Sequence, residues 1–353
     1  MQGSRFAVSL ALLLMGCSSA APLAAPAAPL TEPSVLCTTA RHERCNSAEA
    51  VESWLRAPGL RIVGSAPTPG GQQGAKLLTL SVPRGTGNVT FRAKWRSLDT
   101  ESLVNDPRKE LGAYAVSKLF LDPEEYVVPP TAGHCFELEH YRRTVSADAA
   151  PSFADEGVRC VFGILSYWLE NVAKLADARE DGSWEAEGIF DQELFERDAG
   201  YRQSIADLNL FTYLVHHGDA HSGQFLITND RSSPRVYSVD NSITFESIKN
   251  PMLLFREDWS VIRVPALSAK SLARLERLAP EAFERQYAIE TYRKVGAQLV
   301  PAREEAPIGP PEQPIRWVGL GLQVGLTEDE VKGVRQRLAQ VLARVKKGEL
   351  RSW

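Results

Sequence analysis

The run His216-His217-Gly218-Asp219-Ala220-His221-Ser222-Gly223-Gln224, with Asp240 sixteen residues beyond Gln224, gathers groups suited to phosphoryl transfer. That chemistry needs a carboxylate to accept the proton of an attacking hydroxyl, and oxygen ligands to hold a divalent cation against phosphate. Asp219 fits the first role and Gln224 and Asp240 the second. They stand near the ends of the apolar runs Leu210–Val215, Phe225–Thr228 and Val236–Val239. A second chemistry is open at the same place. Alternation along a strand would put His217, Asp219 and His221 on one side, as the metal site of a hydrolase requires. Against it, the other histidines (His42, His134 and His140) all lie upstream, and no second His pair follows.

The elements that must position these groups read as follows. Asn46-Ser47-Ala48-Glu49 is a capping-box variant that opens a helix to about Leu55. Leu60–Val63, Lys76–Val82 and Asn88–Trp95 read as strands, separated by a Gly-rich loop at 64–74 and a turn at Pro83–Gly87. The third strand carries Lys94, which alternation points away from Ala93 and Trp95. Asp106-Pro107 starts a helix to about Phe120 that contains Glu110, and Val127–Thr131 is extended by its prolines. Helices are expected over 160–178, 190–199, 202–216, 268–280 and 281–298, with short strands around Asp219 and Asp240. Residues 302–314 read as a surface loop. Thr327-Glu328-Asp329-Glu330 is a capping box on a last helix, with Val331, Val334, Leu338, Val341, Leu342 and Val345 on one face.

Residues 1–16 have the form of a secretory signal: Arg5 in a short polar start, an apolar run from Phe6 to Met15, and a small residue before Cys17. Leu14-Met15-Gly16-Cys17 resembles the lipobox of bacterial lipoproteins. The resemblance implies an acylated Cys17 that anchors the chain in the cell envelope, and Ser18 after it reads as an outer-membrane address. Residues 17–33 form a Pro/Ala tether. Cys37, Cys45, Cys135 and Cys160 are an even set in an exported chain, and proximity pairs Cys37 with Cys45 and Cys135 with Cys160. The net charge of −4 argues against a general nucleic-acid binder.

Strand, glycine loop, strand, turn, strand with Lys94, helix with Glu110, then Asp219, Gln224 and Asp240 is the order of parts in a protein-kinase-like fold. Glu110…Ala113-Tyr114, followed by Val128-Pro129-Pro130-Thr131 and by Asp219-Ala220-His221, resembles the atypical kinases related to phosphatidylinositol 3/4-kinases and the secretory-pathway kinases. His217-Gly218-Asp219-Ala220-His221 also resembles the loop of aminoglycoside and choline phosphotransferases. The resemblance covers roughly residues 58–285 as scattered motifs.

It implies an α+β, two-lobed fold: a small β-rich N-lobe with one main helix (34–135) and a mostly helical C-lobe (136–353). It also implies an ATP- and Mg- or Mn-dependent phosphotransferase acting outside the cytoplasm on a hydroxyl-bearing acceptor. Asp219 would be the base, with His221 orienting it or touching phosphate. Gln224 and Asp240 would hold the metal. Lys94, fixed by Glu110, would hold the α/β-phosphates, and Gly70 and Gly71 would cover them. Gln224 stands where these families carry Asn, or Glu in the secretory kinases, and Asn241-Ser242 stands where Phe-Gly or a comparable small pair is usual. A nucleotide-binding module that no longer transfers phosphate is the alternative, and the hydrolase the second alternative.

Overall fold

The computed structural model describes residues 30–31, 36–37, 45–69, 74–98, 105–180, 189–230, 234–245, 257–302 and 311–353. The leader 1–16, Cys17, most of the tether, and Gly70 and Gly71 lie outside the described residues. The chain is α+β with several antiparallel sheets.

The largest sheet contains β1 (Leu30–Thr31), β2 (Arg61–Pro67), β3 (Lys76–Arg84), β4 (Gly87–Ser97), β5 (Thr131–Glu137) and β6 (Cys160–Tyr167). Its order is β2-β3-β4-β6-β5, antiparallel throughout, with β1 running parallel to β4. A two-residue turn at Gly85-Thr86, with Gly85 at φ 58°, closes the β3–β4 hairpin. Leu78, Leu80 and Val82 of β3 and Val89, Phe91, Ala93 and Trp95 of β4 share one face. They form a core there with Val51, Trp54 and Leu55 of helix α1 (Ala48–Leu55) and Leu138 and Tyr141 of helix α3 (Leu138–Thr144). Ser47 caps α1 by accepting from Ala50 N–H. Lys94 and Arg96, on the opposite face of β4, look toward helix α2 (Arg108–Ser117).

The run expected as a helix over 160–178 is instead β6, a turn, a short strand β7 (Val172–Lys174) and helix α4 (Leu175–Glu180). Both faces of β6 are covered. Val161, Leu165 and Tyr167 enter the core under α1, while Phe162 and Ile164 enter a second core with Tyr292, Leu322 and Val324. A strand buried on both sides loses its polar alternation, so its sequence reads as a continuous apolar run. Helices α5 (Gln192–Arg197) and α6 (Ala199–Leu214) follow, each capped by an aspartate, Asp191 and Asp198. Strands β8 (Phe225–Thr228) and β9 (Val236–Ser238) join β7 in a three-stranded sheet. After strand β10 (Ala266–Leu267) come helices α7 (Ala269–Glu276) and α8 (Pro280–Glu284).

A second correction falls at 281–298. Only its first residues are helical; β11 (Glu290–Val295) and β12 (Gln298–Pro301) form a hairpin there. With β13 (Ile315–Val318) and β14 (Gly321–Val324) they make a sheet of order β12-β11-β14-β13. That sheet packs on β5 and β6: the Phe162 and Tyr292 rings stand 4.9 Å apart, and Glu290 accepts from Gly133 N–H at 2.8 Å. The last helix, α9 (Glu328–Lys346), starts with the expected Thr327–Glu330 capping box. It buries Val331, Val334, Leu338 and Val341, with Leu342 and Val345 partly buried against the same core. A final strand, β15 (Arg351–Ser352), pairs with β10. Cys37–Cys45 and Cys135–Cys160 are both disulfides, with Cα–Cα separations of 4.9 and 5.5 Å. Among the described residues no helix is long and apolar enough to cross a membrane.

Candidate functional site

Lys94 is delivered by the middle of the large sheet, paired with Leu77 on one side and Ser166 on the other. Its ammonium is shared between Glu110 Oε1 at 2.8 Å and Asp240 Oδ1 at 2.7 Å. Burial alone would favour the neutral amine, but the two carboxylates outweigh it and raise the Lys94 pKa above its ordinary value. Burial likewise works against ionised Asp240, and Lys94 overcomes it, so Asp240 titrates below the usual carboxylate range. The bland partners for Glu110 are taken elsewhere: Arg92 pairs with Glu170, and Lys118 with Glu52. The other oxygen of Glu110 accepts from Asn241 N–H at 3.0 Å, so one carboxylate binds both Lys94 and the backbone just after Asp240.

Asp219 sits in a turn, not in the short strand expected around it. Helix α6 ends at Leu214, and His216 turns the chain with φ 47°. Both oxygens of Asp219 are held. Gln224 Nε2 donates to Oδ2 at 2.8 Å, and His221 Nε2 lies 3.3 Å from Oδ1. Gly223 N–H donates to His221 Nδ1 at 2.9 Å, which leaves Nε2 as the ring donor and aims it at Asp219. His221 is therefore placed to orient Asp219.

The two acidic loops are stitched together. Gly218 N–H donates to Ile243 O at 2.7 Å, Val239 N–H to Gln224 O at 2.9 Å, and Phe245 N–H to Val215 O at 2.6 Å. His216, Asp240 and Phe245 are three of the five non-glycine residues with positive φ among the described residues. Strained backbone concentrates at sites whose geometry is over-determined by their surroundings, and these three all flank this one.

The structure thus brings together Lys94, Glu110 and Asp240, and separately Asp219, His221 and Gln224, with the backbone joining the two groups. His217 does not share their open side. Its ring is fully buried, Nδ1 accepts from Asp219 N–H at 3.2 Å, and burial lowers its pKa to about 4. The strand alternation on which a His217–Asp219–His221 metal site depended is not formed.

Oxygen ligands suit Mg²⁺ or Mn²⁺, which take one or two protein groups plus phosphate oxygens and water. The side chain of Asp240 is 42% exposed, and Gln224 turns its nitrogen to Asp219, so the oxygens of these two side chains are the ones that could bind a cation. Among the described residues no group of three His, Cys, Asp or Glu is disposed to cage a metal by itself.

Sequence reasoning missed Arg96 and Asn105, and named Ser242 only as a departure from the usual pair. Arg96 Nη1 donates to Asn105 Oδ1 and, at 3.4 Å, to Ser242 Oγ; the Ser242 hydroxyl reaches Asp240 Oδ1 at 3.3 Å. The signal was present: the alternation that turns Lys94 inward turns Arg96 inward too. Comparison with protein-family models returns no match to this chain, and comparison with curated protein sequences returns none either.

Proposed function

We propose that the chain is a metal- and ATP-dependent phosphotransferase with a two-lobed, kinase-like arrangement, acting outside the cytoplasm on a hydroxyl-bearing acceptor. The large sheet with α1 to α3 would form the β-rich lobe and the segment from α4 onward most of the helical one. The observation that carries the reading is Lys94 held between Glu110 and Asp240, three residues distant in sequence whose convergence a phosphate and metal site requires. Lys94 would bind the α/β-phosphates, Gln224 and Asp240 would hold Mg²⁺ or Mn²⁺, and Asp219, steadied by His221, would take the acceptor's proton. Catalysis would then rest on positioning and charge stabilisation.

The two disulfides support an exported chain, consistent with a lipid anchor at Cys17 in the cell envelope. A nucleotide-binding module without transfer has one observation in its favour: both Asp219 oxygens are already held by protein donors.

The test is thermal melting of the full chain in detergent, with ATP and with Mg²⁺ or Mn²⁺. A metal-dependent stabilisation lost in Lys94→Ala supports the site, and no stabilisation of the wild type overturns it. Phosphate release or autophosphorylation abolished by Asp219→Ala separates the transferase from the binding module, whose wild type would bind nucleotide but turn nothing over.

A further inference from the structure

We propose that Arg96 and Ser242 are positioning residues that fix the metal-binding carboxylate of Asp240. This inference rests on the phosphotransferase reading. It gives a role to Asn241-Ser242, the pair that departs from the usual residues after the metal-binding aspartate.

A guanidinium only donates, so at its 3.4 Å contact with Arg96 Nη1 the Ser242 hydroxyl accepts. The single hydroxyl proton is then directed to Asp240 Oδ1, 3.3 Å away. Oδ1 also takes Lys94 Nζ at 2.7 Å, so two donors hold one oxygen of the carboxylate. No protein donor among the described residues engages Oδ2, which is left for a cation. Arg96 is itself fixed. It is 5% exposed, its partner Asn105 is buried, and no carboxylate of a described residue forms an ion pair with it.

Lys94 and Arg96, two residues apart on one face of β4, therefore clip Asp240 and Ser242, two residues apart on the loop. Asn241, between them, is tied by its N–H to Glu110 and by its side chain to Ser238 Oγ at 2.7 Å. Swinging this loop outward would break each of these buried contacts and strand Arg96 without Ser242. The polar pair thus ties the aspartate's loop to β4 and α2.

The experiment is a Mn²⁺ titration of the full chain in detergent with ATP present, followed by the electron paramagnetic resonance signal of free Mn²⁺. It compares wild type, Ser242→Ala, Arg96→Met and the double variant. Metal-free ATP binding and melting temperature are measured beside it. The expected result is that Ser242→Ala weakens Mn²⁺ binding about tenfold while ATP binding without metal changes less than about twofold. The double variant should be no weaker than Arg96→Met alone, because both changes cut one chain of contacts. A folded Ser242→Ala with wild-type Mn²⁺ affinity overturns the inference, as does equal weakening of metal-free ATP binding, which a merely structural role would produce. If Arg96→Met fails to fold, Ser242→Ala alone decides. A wild type that binds neither Mn²⁺ nor ATP overturns the phosphotransferase reading and this inference with it.

Discussion

Arg108 and Glu330 meet through two parallel contacts of 2.9 Å, Nη1 to Oε2 and Nη2 to Oε1, with 4% and 9% of their side chains exposed. The pair joins the first turn of α2 to the first turn of α9, across 222 positions of chain. Arg108 also donates to Gly325 O and to Asp106, while Glu330 closes the capping box on Thr327 N–H. Glu110 lies two residues beyond this anchor, so the C-terminal region fixes the helix that presents it. Removing Glu330 leaves the buried Arg108 charge with the more exposed Asp106, 2.7 Å away, as its remaining ion-pair partner. Glu330→Gln should therefore cost about 3 kcal/mol, near the lower end for such pairs. Urea unfolding at neutral pH measures it.

Gly112, on the same helix, has no room for a side chain. A Cβ there would stand 2.6 Å from Leu326 Cδ2 and 3.1 Å from Phe245 Cε2. Gly112→Ala gains about 1 kcal/mol of helix propensity, but inserting a methyl into a packed core costs about 1–3 kcal/mol. The expected outcome is a lower melting temperature, together with weaker Mn²⁺·ATP binding as α2 shifts and carries Glu110 away from Lys94. Parallel melting and binding titrations check both.

Asp207, on α6, is fully withdrawn from water, with Oδ1 accepting from Ser271 Oγ at 2.7 Å and Oδ2 from Gln203 Nε2 at 2.6 Å. Burial raises its pKa from 3.8 to about 7, against the pull of those two bonds. A carboxyl whose folded pKa is raised binds its proton more tightly in the native state. Its contribution to stability is thus fullest below the unfolded value and is lost as pH rises through the folded one. The falling arm from Asp207 should span about pH 4 to 7. Asp207→Asn, with the Gln203 amide turned to accept, should flatten that arm and melt higher than wild type at pH 8. Melting curves between pH 5 and pH 8 decide it.

Much of the candidate site was legible before the fold was seen. Lys94 could be placed because β4 alternates cleanly, and Glu110, Asp219, Gln224 and Asp240 because their order and spacing match a known arrangement. What escaped has physical causes. Cys160–Tyr167 is covered on both faces, so its apolar run carried no period that distinguishes strand from helix. The stretch 281–298 holds the β-favouring Thr291-Tyr292 and a turn at Gly296, with φ 60°, but its charged residues imitated a helical surface. The Arg108–Glu330 pair was invisible because nothing local announces a contact between such distant positions. Arg96 is legible by the same alternation as Lys94, two residues on along the same face of β4.

The Cys135–Cys160 bridge ties β5 to β6 and closes a separation of 25 residues. Such a cross-link stabilises chiefly by restricting the unfolded chain, typically by about 2–4 kcal/mol. Replacing both cysteines with alanine should lower the urea midpoint accordingly. Wild-type chain unfolded and refolded in dithiothreitol also loses the Cys37–Cys45 bridge and should be displaced at least as far.

Strand β4 is the longest among the described residues at eleven, hydrogen-bonded to β3 along most of its length and to β6 at its far end. Lys94 therefore rides on backbone whose amides should exchange with solvent only on global opening. Asp219 and Asp240 ride on turns, one of them at a left-handed φ. The two halves of the site then keep different clocks. Lys94 is held by sheet hydrogen bonds, whereas Asp219 and Asp240 are held by contacts between their two loops, so the acidic side is the one expected to open first. Any ligand that tightens this site would do so by slowing the acidic side, and the amides of 217–224 and 239–245 would record it as new protection while those of β4 stay as they were.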